Sequence, residues 1–221
     1  MPQNKRSKLV VLISGSGSNL QAFIDASKNG SLNADIAAVI SNKAGVMGLE
    51  RAKNVGIANE VIDHKQFDDR ESFDTELADR IERYQPDLVI LAGFMRILTP
   101  EFVSRFAGRI MNIHPSLLPK YPGLHTHRRA IEAGDKKAGA TVHFVTSELD
   151  GGPAIVQAEV PILPGDDEGA LASRVLVQEH QIYPLAAQWF CEGKLSLKNG
   201  APELNGEALP TSGKKFSNET P

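Results

Sequence analysis

Short apolar runs recur along the chain, and each is followed by a turn and then by a segment with helical periodicity. Residues 9–13 contain no polar side chain, and residues 35–40 and 87–92 are apolar after their first position. Runs of this kind are typical of strands that are covered on both faces, as in a parallel sheet. The sequence therefore predicts an α/β fold. We expect a Rossmann-like open, mostly parallel twisted sheet with helices on both faces, mixed toward the C-terminal half.

The same patterns predict where the individual elements lie. Further strands are expected at 58–62, 141–146 and 154–162, and one strand is expected to end at Asn112 and His114. Helices are expected to begin at Asn19 and at Thr99–Pro100, and to lie near 47–55, 69–84, 128–133 and 167–191. Beyond residue 197 the chain becomes polar, so we expect at most a small hairpin there and a disordered end after about Leu209.

Composition excludes several classes of protein. The net charge of −3 gives no basic surface for nucleic acid. No apolar run approaches the ~20 residues of a membrane span, and the first run is too short for a signal peptide. The single cysteine, Cys191, cannot form an internal disulfide and fits a reducing, cytoplasmic location. We expect it to pack on the last long helix.

Asn112 and His114 are the strongest candidates for chemistry. Residues two apart in a strand share a face, and Pro115 cannot continue the ladder, so both side chains lie at a strand end. Catalytic groups gather at such ends in open α/β sheets. An amide donor beside an imidazole suits a reaction that builds negative charge on a carbonyl oxygen, which indicates acyl transfer. A satisfied Asn and a structural His are the alternative.

Asp150 would be the third member of this site. It lies in the loop Leu149-Asp150-Gly151-Gly152-Pro153, which is free to project a carboxylate. A functional role requires that it approach His114, where its charge would keep the ring protonated. Asp in such a loop is otherwise a turn-forming residue.

The first strand ends in Ser14-Gly15-Ser16-Gly17-Ser18, a form that suits phosphate. Glycines let the backbone approach an anion, and free N–H groups at the start of the helix point toward it. The dinucleotide fingerprint is incomplete because Leu20 stands at the third glycine position. A phosphate monoester is therefore favoured over NAD, and a plain tight turn is the alternative.

Two further segments leave their role open. Residues 94–98 form an apolar loop after a buried strand, either packing inward or forming a slot for an aromatic ring. His125 and His127 have no accompanying ligand cluster, so we interpret them as solvated loop histidines and expect no metal.

Four motifs together resemble the folate-dependent phosphoribosylglycinamide formyltransferases, from about residue 8 to residue 197. These motifs are Ile13-Ser14-Gly15-Ser16-Gly17-Ser18-Asn19, Leu91-Ala92-Gly93-Phe94-Met95-Arg96-Ile97-Leu98, Asn112-Ile113-His114-Pro115-Ser116-Leu117-Leu118-Pro119 and Leu149-Asp150-Gly151-Gly152-Pro153. The resemblance implies transfer of a formyl group from 10-formyltetrahydrofolate, as co-substrate, to the amine of 5-phosphoribosyl-glycinamide in purine synthesis. It also implies small-molecule partners only, and a monomer or homodimer.

The resemblance assigns roles residue by residue. The catalytic positions are Asn112, His114 and Asp150. The nucleotide positions are Gly17, Ser18, Asn19 and Glu179. The folate positions are Arg70, Met95, Arg96, Ile97, Leu98, Asn112 and His143. Residues 1–197 would form one domain, with a nucleotide-phosphate half at 8–107 and a catalytic and folate half at 108–197, followed by a polar, partly disordered tail at 198–221.

The sequence leaves three other functions open. A methionyl-tRNA formyltransferase has a similar site but usually adds a basic C-terminal module. A formyltetrahydrofolate hydrolase normally carries an N-terminal regulatory domain, whereas here the first strand starts by Lys8. A non-catalytic folate or phosphate sensor would bind these ligands without turnover.

Overall fold

Eleven strands, six α-helices and one 3₁₀ helix make up the described part of the chain, residues 5–217 of a computed structural model. The strands are β1 Ser7–Ile13, β2 Ala34–Ser41, β3 Asn59–Val61, β4 Leu88–Leu91, β5 Ile110–His114, β6 Lys137–Phe144, β7 Ala154–Pro161, β8 Leu195–Lys198, β9 Ala201–Leu204, β10 Glu207–Ala208 and β11 Lys214–Phe216. The helices are α1 Ser18–Asn29, α2 Met47–Asn54, α3 Arg70–Arg83, α4 Pro100–Arg105, α5 Thr126–Glu132 and α6 Glu168–Cys191, and the 3₁₀ helix is His64–Gln66.

Eight strands form one open sheet in the order β11-β7-β6-β5-β4-β1-β2-β3. Every neighbouring pair is parallel except β5 with β6 and β6 with β7, so β6 alone runs against the others in this sheet. The expectation of a mostly parallel sheet that becomes mixed toward the C-terminal half is confirmed. The pairing of β4 with β5 makes the sheet continuous across the expected boundary at 107 and 108, and the division into halves stays a prediction.

Two hydrophobic layers cover the sheet, one on each face. In β1, Leu9, Val11 and Ile13 pack in the layer that contains α1 and α6. The alternating residues Val10 and Leu12 pack in the other layer, with α3 and α4. The continuous apolar run therefore has the two-sided burial that its composition predicts.

The strand predicted at 141–146 lies at Lys137–Phe144 instead. Lys137 and Gly139 look unlike strand residues in the sequence, but antiparallel pairing extends back from His143 to Lys137 along β7. Gly139 is required in this pairing, because a Cβ there would lie 1.9 Å from the Ala158 carbonyl oxygen. Pairing with a neighbour overrides local propensity here.

The expectation of a disordered end after Leu209 is wrong for residues 210–217. The tail forms a small antiparallel sheet, β10-β9-β8, and then the strand β11, which adds parallel to the edge strand β7. The expected hairpin is present within the small sheet, and residues 218–221 lie outside the described residues. The polar composition of the tail gives no signal for β11, because a strand at the edge of a sheet is held mainly by backbone hydrogen bonds and does not need apolar side chains.

Tyr183 ties α6 to the end of the sheet from which the functional loops leave. Its buried hydroxyl lies 3.0 Å from the Leu91 carbonyl oxygen in β4 and 2.8 Å from that of Met111 in β5. Tyr183→Phe leaves both acceptors without this donor, so we expect a loss of about 1–3 kcal/mol in the free energy of unfolding, measured in urea. The control is Tyr84→Phe, whose half-buried hydroxyl donates to Glu60. Equal losses in both variants would contradict a special role for Tyr183.

Candidate active site

Asn112 and His114 lie at the carboxyl end of β5, as the sequence predicts. They line a cavity of about 620 Å³ together with Asp150 and His143. The antiparallel neighbour β6 places the Cα of His143 opposite that of Asn112 and the Cα of Thr141 opposite that of His114. The cavity is also lined by the predicted residues Asn19, Met95, Arg96, Ile97, Leu98 and Glu179.

Both ring nitrogens of His114 face acceptors. Nε2 lies 2.8 Å from the Tyr121 carbonyl oxygen, and Nδ1 lies 3.4 Å from Asp150 Oδ2. The backbone oxygen can only accept a hydrogen bond, and the carboxylate forms an ion pair with the ring when His114 is protonated. A hydrogen bond from Nε2 to a substrate therefore requires that its hydrogen be shared with the Tyr121 carbonyl.

Asp150 reaches His114 through a turn with left-handed backbone geometry, at φ 50°. Its side chain is only 8% exposed, and Oδ2 also accepts a 2.8 Å hydrogen bond from the Gly123 N–H. The carboxylate is therefore held by backbone and imidazole together. The approach that function requires of Asp150 is present, and a role as turn-former alone does not account for this contact.

His143 contacts the Asn112 carboxamide. Its Nε2 lies 3.3 Å from Asn112 Nδ2, while its Nδ1 lies 2.9 Å from the Phe144 carbonyl oxygen. The side chain is almost fully buried, and this burial lowers the pKa of the His143 ring. A neutral ring at this position is a hydrogen-bond acceptor for Asn112.

The glycine loop after β1 has the geometry of an anion site. Gly17 has φ 70° and precedes α1, whose first turn has no side-chain cap. A Cβ at Gly17 would lie 2.7 Å from the Cα of Gly48, at the start of α2. Two helix N-termini therefore meet at this loop, which favours negative charge nearby. Gly17 and Ser18 do not line the 620 Å³ cavity, whereas Asn19 does.

Glu179 on α6 is joined to the same helix start. Its Oε2 accepts a 2.8 Å hydrogen bond from Asn19 Nδ2, and burial raises the pKa of the Glu179 carboxyl. The pair brings together two residues that are far apart in the chain. Both line the cavity, so the start of α1 and the end of β5 open onto one space.

The loop of residues 94–98 combines the two roles that the sequence left open, namely packing inward and presenting an apolar surface for a flat ring. Phe94 and Leu98 are buried and pack in the layer with α3, whereas Met95 and Ile97 are 64% and 55% exposed. The loop is held at both ends, because Ser14 Oγ accepts from the Met95 N–H and Asp74 Oδ2 accepts from the Thr99 N–H. Exposed apolar side chains on a fixed loop are suited to a flat ligand.

Arg70, like Gly17 and Ser18, is a predicted site residue that lies outside the cavity lining. It begins α3, and its guanidinium lies 3.9 Å from the carboxylate of Glu71. Arg96, by contrast, lines the cavity and stacks its guanidinium 4.7 Å from the centre of the Phe73 ring.

The two loop histidines differ from each other. His125 is exposed, in agreement with the expectation, and it lines the cavity just before α5, but the expectation for His127 is wrong. His127 is a half-buried residue of α5 that lines the cavity, and its burial lowers the pKa of the ring. Within residues 5–217 no group of three or more His, Cys, Asp or Glu side chains is arranged to hold a metal ion.

Two backbone groups that the sequence did not indicate contact His114 and Asp150. The Tyr121 carbonyl oxygen faces His114 Nε2, and the Gly123 N–H donates to Asp150 Oδ2. The proline-rich loop after β5 was a visible signal, but no side-chain pattern identifies which of its backbone groups will face the site.

No helix among residues 5–217 is long and apolar enough to cross a membrane. Cys191 ends α6 and is half-buried against the core, as expected.

Comparison with known proteins agrees with this fold. Residues 7–187 match the family model described as formyl transferase. The chain therefore belongs to the formyl transferase family, and it is a transferase.

Its relatives specify the type within that family. The chain is 57% identical to the phosphoribosylglycinamide formyltransferase of Escherichia coli (strain K12), over 93% of this chain and 97% of that protein. It is 49% identical to the trifunctional purine biosynthetic protein adenosine-3 of Drosophila melanogaster, over 94% of this chain and 15% of that protein. The phosphoribosylglycinamide formyltransferase of Coxiella burnetii, solved in complex with CHES, superimposes with a TM-score of 0.93 at 47% identity, covering 96% and 100% of the two chains.

Proposed function

We propose that this protein transfers the formyl group of 10-formyltetrahydrofolate to the amine of 5-phosphoribosyl-glycinamide in purine biosynthesis. One observation carries the proposal: His114, with an acceptor at each ring nitrogen, lies beside Asn112 in a cavity that also reaches the start of α1. The names of the relatives support phosphoribosylglycinamide as the formyl acceptor and a role in purine biosynthesis. The choice of 10-formyltetrahydrofolate as the donor follows from the sequence resemblance.

The reaction we propose is direct attack. The glycinamide nitrogen bonds to the formyl carbon, and the carbonyl electron pair moves to oxygen to give a tetrahedral oxyanion. Asn112 Nδ2–H donates to that oxygen, and the positive charge of His114 stabilises it. Collapse breaks the bond to the folate nitrogen, which leaves with the electron pair. No covalent enzyme intermediate is required, because the folate supplies an already activated formyl group.

Asp150 has two roles in this proposal. Its charge holds His114 protonated, since Oδ2 faces the ring at 3.4 Å. It also assists a water molecule that carries the proton from the attacking nitrogen to the leaving nitrogen. The buried position of the carboxylate strengthens the first of these effects, because charges interact more strongly away from bulk water.

We assign the two substrates to opposite parts of the site. Gly17, Ser18, Asn19 and Glu179 hold the phosphoribosyl end, with the phosphate at the uncapped start of α1. Residues 95–98, with Asn112 and His143, line the folate side. Arg70 lies outside the cavity lining, so we propose that it meets the glutamate carboxylates of a folate that extends beyond the cavity. We further propose a cytoplasmic location, small-molecule partners without nucleic acid, and a monomer or homodimer.

A single assay tests the proposal against its rivals. The protein is mixed with 10-formyltetrahydrofolate, and the cofactor absorbance is followed with and without glycinamide ribonucleotide. Turnover that requires the nucleotide supports the transferase. Turnover without it indicates a formyltetrahydrofolate hydrolase, and binding without turnover indicates a sensor. Turnover with methionyl-tRNA in place of the nucleotide would indicate the tRNA enzyme. Each of the last three results overturns the proposal.

The glycine loop gives a prediction about nucleotide binding. Gly17→Ala forces a Cβ to 2.7 Å from the Gly48 Cα, which displaces the helix starts that would bind phosphate. We expect KM for the nucleotide to rise about tenfold or more, as for loss of one hydrogen bond to a charged group. Initial-rate kinetics with varied nucleotide measure this.

Gly30→Ala is the matched control for this prediction. Gly30 has φ 83°, and a Cβ added there would have no neighbouring atom within 4 Å, so it shares the left-handed strain without the clash. This control should lose about 1 kcal/mol of stability while keeping the KM for the nucleotide. An unchanged KM in Gly17→Ala would count against a phosphate at this loop.

A further inference from the structure

His143 and Asn112 share a hydrogen bond whose direction depends on where the ring carries its proton. His143 Nε2 lies 3.3 Å from Asn112 Nδ2, on the neighbouring strand. A protonated Nε2 would need an acceptor, whereas a bare Nε2 needs a donor. The carboxamide of Asn112 can supply either one by rotating through half a turn.

The contact of the other ring nitrogen, Nδ1, determines whether Nε2 of His143 is protonated or bare. His143 Nδ1 lies 2.9 Å from the carbonyl oxygen of Phe144, which can only accept, so Nδ1 carries a hydrogen. Only glycine fits at position 152 beside this carbonyl, because a Cβ there would lie 1.8 Å from the Phe144 oxygen. A neutral His143 with its hydrogen on Nδ1 leaves a bare lone pair on Nε2.

Two charged groups act on this ring from the elements around it. Asp150 Oδ1 lies 3.9 Å from Nε2, beyond hydrogen-bond distance, and its charge favours a protonated His143. Burial of the ring and the charge of His114 oppose that protonation, and burial is the larger effect, so the pKa of His143 is lowered. The amide of Asn112, at 3.3 Å, is the nearer partner of Nε2.

We infer that His143 is a positioning residue: its bare Nε2 accepts one hydrogen of Asn112 Nδ2 and so fixes the carboxamide with its second hydrogen available to the formyl oxygen. The inference rests on the proposed function. Without this acceptor, the Asn112 carboxamide is free to turn, and its oxygen would then repel the oxyanion. His143 acts through Asn112 and needs no contact with the reacting atoms.

Two substitutions of similar size separate the acceptor from the donor of this ring. His143→Gln can place its carbonyl oxygen near the Nε2 position and still accept from Asn112. His143→Asn reaches only the Nδ1 position, so it can donate to Phe144 but cannot reach Asn112. We expect His143→Gln to keep kcat within about tenfold of the parent and His143→Asn to lose about 10²-fold, with KM for the nucleotide little changed. Equal kcat in the two variants would overturn the inference.

The same pair of variants is then made in an Asn112→Ala background. If His143 acts through Asn112, the difference in kcat between the Gln and Asn variants disappears there. A difference that persists undiminished shows that His143 acts on the reaction by another route, and this overturns the inference.

A spectroscopic measurement on the unaltered protein does not depend on turnover. The ¹⁵N signals of histidine side chains distinguish a protonated from a bare ring nitrogen, and the His143 signals are assigned by their loss in His143→Gln. We expect a protonated Nδ1 and a bare Nε2 at neutral pH. A hydrogen on Nε2 overturns the inference even if formyl transfer is observed, whereas absent formyl transfer overturns the proposed function and leaves this result standing.

Discussion

Asp150→Asn is expected to lower kcat by about 10³-fold while KM for either substrate changes only a few fold. The asparagine side chain has the same shape and can still accept from the Gly123 N–H, so the loop should keep its conformation. It has no charge to hold a second proton on His114, and it is a poor partner for proton transfer. Steady-state kinetics with each substrate varied in turn measure the effect.

Asp25→Asn is the control for this substitution, because Asp25 is an exposed carboxylate on α1 that accepts a hydrogen bond from the nearby Gln21. It should leave kcat and both KM values unchanged. Parallel loss of kcat and of substrate affinity in Asp150→Asn would show that Asp150 acts in binding. An unchanged kcat would remove it from the mechanism.

His114→Ala is expected to reduce kcat by about 10³-fold or more, since it removes the positive charge beside the developing oxyanion. It also leaves the Tyr121 carbonyl and the buried Asp150 carboxylate without their partner, so we expect some loss of stability as well. Thermal unfolding of the variant separates this second effect from the loss of rate. Added imidazole should restore part of the activity, because the cavity is open to small molecules.

The double variant His114→Ala, Asp150→Asn gives the sharper result. If Asp150 acts mainly by holding His114 charged, the double variant is hardly slower than His114→Ala alone. Fully multiplicative losses would mean that the two residues act independently, with Asp150 serving proton transfer only. An unchanged kcat in a folded His114→Ala variant would argue that the ring has no direct part in catalysis.

Local sequence patterns predict the sheet and part of the site because they depend on residues close together in the chain. The run of residues 9–13 needs only its own composition to indicate a strand buried on both faces. Asn112 and His114 share a face because a strand repeats every two residues, and Pro115 fixes where the strand ends. Each of these inferences depends on one element alone.

The remaining features depend on where elements meet. Asp150 approaches His114 because its loop adopts a left-handed turn and is held by Gly123, and no spacing in the sequence encodes that meeting. The acceptor at Tyr121 is a backbone carbonyl, which every residue possesses, so residue type cannot identify it. The half-buried position of His127 likewise follows from how α5 lies over the cavity.

The strand β11 has a consequence for how this protein is handled. It covers the backbone of β7 at Val156, Gln157 and Ala158, where an open sheet would otherwise expose hydrogen-bonding groups to a second molecule. A truncation before Lys214, or a fusion that draws this segment away, would turn that rim into a template for intermolecular strand addition. Shortened versions would then aggregate during purification even with an intact cavity, and affinity tags are better attached at the opposite terminus.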